Sequence, residues 1–258
     1  MIDLGDFYPD FREIVEQNVD AIRRAPATDR GRLCEEACVT LRTAGIAEVL
    51  VAFNIDGFHH MLTRSALTRL YLLKKTTPVE QARSRFCKIS RSNAFFDALA
   101  VGRIDLARQI IMAGPPQRNA DFEYEDDYLY VRFLYGMLLA APAQEQQGTL
   151  DNWRATVVGP PSERFEVCLA LLAHDAAAFE QAFTGLLAAR AEELQAQSRS
   201  LSRDEMAFAG DRHIFIEGLA LLRLAIIVGI PTQVEYRFCP RETRLPMTAP
   251  FPDDLYPS

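Results

Sequence analysis

Residues 122–139 read FEYEDDYLYVRFLYGMLL, and the fold turns on them. The front of the stretch is acidic: Asp121, Glu123, Glu125, Asp126 and Asp127 fall within seven residues. Behind it, Arg132 is the one charge between Tyr128 and Ala141. A helix that is apolar on nearly every side belongs inside a protein. The spacing therefore predicts a central buried helix whose amino end carries carboxylates to the surface. Carboxylates suit that end, because the helix dipole is positive there. Two readings follow. The acids only compensate the dipole and solvate the helix start, or they meet a partner. In the second reading charge steers the encounter, and Phe122, Tyr124 and Tyr128 supply aromatic area for anchoring. The candidate partner-binding residues are Asp121, Glu123, Tyr124, Glu125, Asp126 and Asp127.

The flanking sequence is helical in pattern. Phe11, Ile14, Val15, Val19 and Ile22 recur at helical spacing until Pro26. A second helix is expected from Asp29 to Ala44, with Leu33, Ala37 and Leu41 as its inner stripe and Gly45 as its stop. Residues 46–53 read as a short helix leading into a longer one over 56–75, and 79–89 as a surface helix. Residues 92–114 form a hairpin turning at Gly102, and 164–197 a second one turning at His174-Asp175. The segments 98–107 and 169–178 are loosely alike, which argues for packed antiparallel helix pairs; they lack the signature residues of a solenoid repeat. A polar linker over 141–159 holds a short helix from about Leu150, around the lone Trp153. Residues 203–209 give another short helix. Residues 214–228 give a second buried helix, stopped by Gly229 and Pro231.

The end of the chain differs. Pro240, Pro246, Pro250, Pro252 and Pro257 forbid regular helix or an inner strand. Phe238, Leu245, Met247, Phe251 and Leu255 are too apolar for a free tail. The expectation is an all-α single domain over residues 1–258. Antiparallel helix hairpins pack around two buried helices over about 6–230, and an extended Pro-rich strap over 231–258 lies on that body.

Composition narrows the function. The formal net charge is −7 and the pI about 5.2, which argues against nucleic acid or an anionic membrane as partner and permits a basic protein. The amino end lacks a basic stretch followed by an apolar run, so no signal peptide is expected. The longest apolar stretch, 214–230, contains Glu217 and Arg223 and is too short to span a bilayer. A soluble cytoplasmic protein is expected. The five cysteines are odd in number with no CxxC, which reads as reduced core thiols.

Catalytic signatures are missing. HExxH, GxSxG, the Walker loop and GxGxxG do not occur. His213 and Glu217 stand four apart and could share a helical face, yet two ligands do not make a zinc site. No catalytic residue, metal or cofactor is assigned. Arg132 and Arg223, set in apolar helices, are expected in internal ion pairs, with Glu217 the obvious carboxylate. Gly136 and Gly218 interrupt those helices, which suggests close backbone approach by a neighbour. A weaker alternative is an all-α Mg²⁺-dependent lyase of the terpene-synthase type. Its DDxxD motif is incomplete here, because Tyr130 stands where the third acid should be. A helical-repeat adaptor is a third possibility.

Four strings carry a resemblance: 95–102 (FFDALAVG), 106–108 (LAR), 122–130 (FEYEDDYLY) and 212–225 (RHIFIEGLALLRLA). Together they resemble the immunity protein 49 family of bacterial polymorphic toxin systems, over roughly residues 92–229. The resemblance implies a soluble, mostly helical protein made beside a secreted toxin, such as a type VI effector. That protein would neutralise the toxin by binding it directly. It supplies no catalytic residues. An acidic inhibitor suits a toxin with a basic active site, for instance a nuclease.

Overall fold

Helices account for every regular element longer than a turn in the computed structural model, which describes residues 4–157, 159–200, 204–250 and 256. Among the described residues there is no β-strand, only an isolated bridge between Tyr236 and Cys239. The fold is all-α and forms one domain.

Helices α1 (Leu4–Arg24), α2 (Ala27–Val51) and α3 (Ile55–Lys74) stack in succession. α1 buries Phe11, Val15, Val19 and Ile22, the stripe its spacing predicts. α2 does not stop at Gly45: it runs straight through, absorbing the short helix expected over 46–53. The glycine is a contact, not a terminator. A Cβ there would stand 2.6 Å from Leu62 Cδ1, so its absence lets α3 pack close. The reversal comes later, at Phe53 with φ of 54°, and Asn54 then caps α3 by accepting the Gly57 N–H at 3.0 Å.

The expected surface helix over 79–89 is also shorter. Only Pro78–Arg83 (α4) is helical, opened by a Thr77–Glu80 capping box. Beyond it the chain turns inward. Lys88 and Ile89 are buried, and Arg69 donates to the Phe86 and Lys88 carbonyls.

α5 (Asn93–Ala100) and α6 (Ile104–Ala113) form the first hairpin, turning at Gly102 with φ of 76°. The Arg103 N–H reaches back to the Ala98 carbonyl, the six-to-one bond of a Schellman turn. α5 is the most enclosed element: seven of its eight residues are buried. Its Asp97 is fully buried and answered on two sides, by Arg42 Nε of α2 at 2.7 Å and the Ser65 hydroxyl of α3 at 2.6 Å. One short helix thus pins two long ones.

α7 (Glu125–Leu138) is the stretch from which the fold was read. It buries Leu129, Tyr130, Val131, Phe133, Leu134, Tyr135 and Leu138. It is not buried all round: Arg132 looks outward and pairs with Glu145 at 3.6 Å. α8 (Ala143–Thr156) begins well before Leu150. Its early start has a physical cause, because Gln146 is buried and its Nε2 donates to the Phe133 carbonyl. The Gln146 side chain occupies the room left by Gly136, where a Cβ would sit 2.3 Å from its Oε1. α9 (Glu163–Ala173) and α10 (Ala176–Ser198) make the second hairpin. Its turn residue His174 is left-handed, and Asp175 caps α10 through the Ala177 and Ala178 N–H groups. α11 (Glu205–Asp211) and α12 (Ile216–Ile227) complete the body.

The core is continuous across the halves. An aromatic row links α5, α7, α8 and α9 through Phe95–Phe96, Phe96–Tyr130, Tyr130–Trp153 and Trp153–Phe165. The chain also closes on itself, since α11 packs on α2 and α12 on α5. The strap follows. Phe215 N–H donates to Phe238 O at 2.8 Å, and Cys239 is buried where Gly218 lacks a side chain. Gly136 and Gly218 thus admit neighbouring side chains, not the backbone expected. Farther on, Arg241–Arg244 form a 3₁₀ turn, Leu245 O meets His59 Nε2 at 2.9 Å, and Thr248 is held by Asp56. Tyr256 stacks on Tyr71. Residues 251–255, which hold Phe251 and Leu255 of the expected strap, lie outside the described residues.

Candidate functional site

The acids at the start of α7 do not form one uniform patch. Glu123 points inward and is 5% exposed. Its two oxygens accept the Ser90 and Asn119 N–H groups, each at 2.8 Å. Beside it the buried Lys88 donates to the Phe122 carbonyl at 2.7 Å and lies under the Phe122 ring. Glu123 therefore builds the loop and is closed to a partner. Asn119 completes the scaffold by donating to the Ala82 carbonyl, tying this loop to α4.

That scaffold presents the others. Tyr124 is 81% exposed and Phe122 49%. Asp121 and Asp126 are exposed and make no ion pair among the described residues. Glu125 pairs with Arg118 at 3.1 Å but keeps half its side chain in solvent. Asp127 faces sideways, 3.7 Å from Arg164 of α9. Burial and the neighbouring Asp126 push its carboxyl pKa up.

Asp127 leads into a polar junction. Arg164 grips Glu217 of α12 through two bonds of 2.7 Å, and the Tyr130 hydroxyl donates to the same Glu217 at 2.8 Å. The Arg164 guanidinium also lies over the Tyr130 ring. Burial works against the Arg164 cation; Glu217 outweighs it and pushes its pKa up. Burial, then Glu217, push the Tyr130 hydroxyl well up, so it serves as a donor. The pairing expected of Glu217 is therefore corrected. Its partner is Arg164, while Arg132 is solvent-facing and Arg223 has no carboxylate among the described residues. Nothing local in the sequence marks Arg164, because the contact spans 53 residues.

These groups are held in hydrogen bonds and ion pairs that join α7, α9 and α12. His213 lies in the turn before α12, not on one helical face with Glu217, and is paired with Arg212. Among the described residues, no group of three or more His, Cys, Asp or Glu side chains could hold a metal. Burial pushes the thiols of Cys34 and Cys239 up to about 12 and that of Cys38 to about 11, so they stay protonated and inert at neutral pH. No helix of the described residues is long and apolar enough to cross a membrane.

The strings at 122–130 and 212–225 meet in space at the Tyr130–Arg164–Glu217 junction. Comparison with curated proteins and with solved structures returns no match. A family model described as immunity protein 49 matches residues 47–243, reaching farther towards the amino end than those strings alone suggest. That span is well over half of the 258 residues, and the chain belongs to the immunity protein 49 family.

Proposed function

We propose that this immunity protein acts in the cytoplasm by binding a cognate toxin directly, through the face formed by Asp121, Phe122, Tyr124, Glu125 and Asp126. The observation that carries this reading is a largely solvent-exposed tyrosine flanked by two unpaired carboxylates on a backbone fixed from beneath. An exposed aromatic on a rigid support loses little entropy when it docks. Acids around it attract a basic surface and raise the rate of encounter. A toxin with a basic active site, a nuclease in particular, is the partner this field fits, and occupation of that site would block it.

The test is the pair of reversals Asp121→Lys and Asp126→Lys against the toxin encoded in the neighbouring reading frame. The double variant is expected to melt like the parent and to bind at least about tenfold more weakly, with a shallower dependence on salt. Unchanged affinity and unchanged salt dependence would move the interface elsewhere.

A further inference from the structure

Three arginines of this acidic chain converge on one cleft with no acid among its lining residues. Arg223 comes from α12, and Arg241 and Arg244 from the 3₁₀ turn of the strap. The cleft holds about 240 Å³, and Leu219, Ile226 and Leu245 supply apolar wall. None of the three guanidinium groups has an ion pair among the described residues. Arg244 is fixed by neutral oxygens instead: the Gln233 and Val234 carbonyls at 2.6 and 3.2 Å and the Thr232 hydroxyl at 2.6 Å. Glu235, the nearby acid of the strap, spends Oε2 on the Arg241 backbone N–H. Arg223 lies against Gly102, where a Cβ would be 3.6 Å from its Cζ. Burial, then the charge of Arg244, pull its pKa down.

A half-buried cation with only other cations for company is costly to hold. A carboxylate placed between the arginines would remove that cost, because guanidinium offers a planar fork matched to it. Size limits what carries the carboxylate. The cleft is smaller than the roughly 300–1,000 Å³ of ordinary small-molecule sites. It has room for one side chain, and its walls ask for an apolar stem.

We infer that this cleft is a second contact for a protein partner and takes a carboxylate on an apolar stem, either an acidic side chain or the chain terminus of that polypeptide. The inference adds to the reading above an opposite-signed contact. An acidic face for a basic surface and a basic cleft for an acid together fix orientation, since a reversed approach would bring like charges together.

The test uses no toxin, so its failure and that of the acidic-face reading are separable. The arginine Nε–Hε resonances of the full chain are followed by NMR while N-acetyl-phenylalaninate, its amide, or inorganic phosphate is added. The carboxylate is expected to shift the cleft arginines saturably in the millimolar range, with the amide at least about tenfold weaker and phosphate weaker than the carboxylate. Arg223→Met, or Arg223→Lys if the first loses its fold, is expected to weaken the carboxylate at least about tenfold. Equal binding of acid and amide, tighter binding of phosphate, undiminished binding to a folded Arg223 variant, or no saturation with the parent would each overturn the inference.

Discussion

Glu123 shows how one side chain changes meaning with its surroundings. In the sequence it is one acid among five; in the molecule it closes a loop by accepting two backbone N–H groups. Glu123→Gln keeps the shape but turns an amide N–H₂ towards one of those donors. A buried donor left unmet costs about 1–3 kcal/mol. Urea denaturation is expected to show an unchanged slope and a midpoint lowered by that cost divided by the slope. An unchanged midpoint would mean that water replaces the lost acceptor. The burial was not legible, because it depends on where the Ser90 and Asn119 backbones lie. The exposed Asp126, by contrast, stands where a helix start puts it, while Asp121 lies in the turn ahead of α7. Arg223 marks the other limit. Its apolar neighbours in sequence imply a buried partner, and the structure gives it a cleft with two more arginines instead.

Among elements, α12 and the hairpins at 93–113 and 163–198 were readable because their stops are chemical: Gly102, Gly229 and the His174-Asp175 turn. Gly45 misled because the same residue ends some helices and in others admits a neighbour. The enclosure of α5 is not legible in the sequence, since eight residues carry little periodicity although seven are buried. The strap was legible from its prolines and apolar residues, and its anchors were not. One anchor brings a pH dependence. Burial holds the His59 pKa below its ordinary value while Nε2 meets the Leu245 carbonyl. Arg223 opposes a charge on this ring and Asp56 favours one. The unfolded chain thus takes up the proton first as pH falls, and the native state loses stability below about pH 6.5, with none lost on this account above it. Melting temperatures between about pH 6.5 and 5.5 are expected to fall less steeply for His59→Gln than for the parent. Equal slopes would assign the loss to other groups.

At the scale of the molecule, early and late segments depend on each other. α12 covers α5, α11 lies on α2, and the strap reaches back to His59 and Asp56 on α3. A chain ending at residue 213 lacks α12 and the strap, leaving the apolar residues of α5 bare. Uncovered apolar surface of that kind promotes aggregation. The truncated chain is expected to bind hydrophobic dyes and to melt without a cooperative transition by circular dichroism, although much of its helix forms. A sharp melt would show that the amino-terminal helices fold alone.

The same back-packing bears on how a cell makes this protein. α5 emerges from the ribosome more than a hundred residues before α12, which must close over it. Until α12 has been made, the apolar residues of α5 lack their cover, and exposed surface of that kind favours association with other chains. The closing of the core therefore waits on the helix that is made last among those packed on α5.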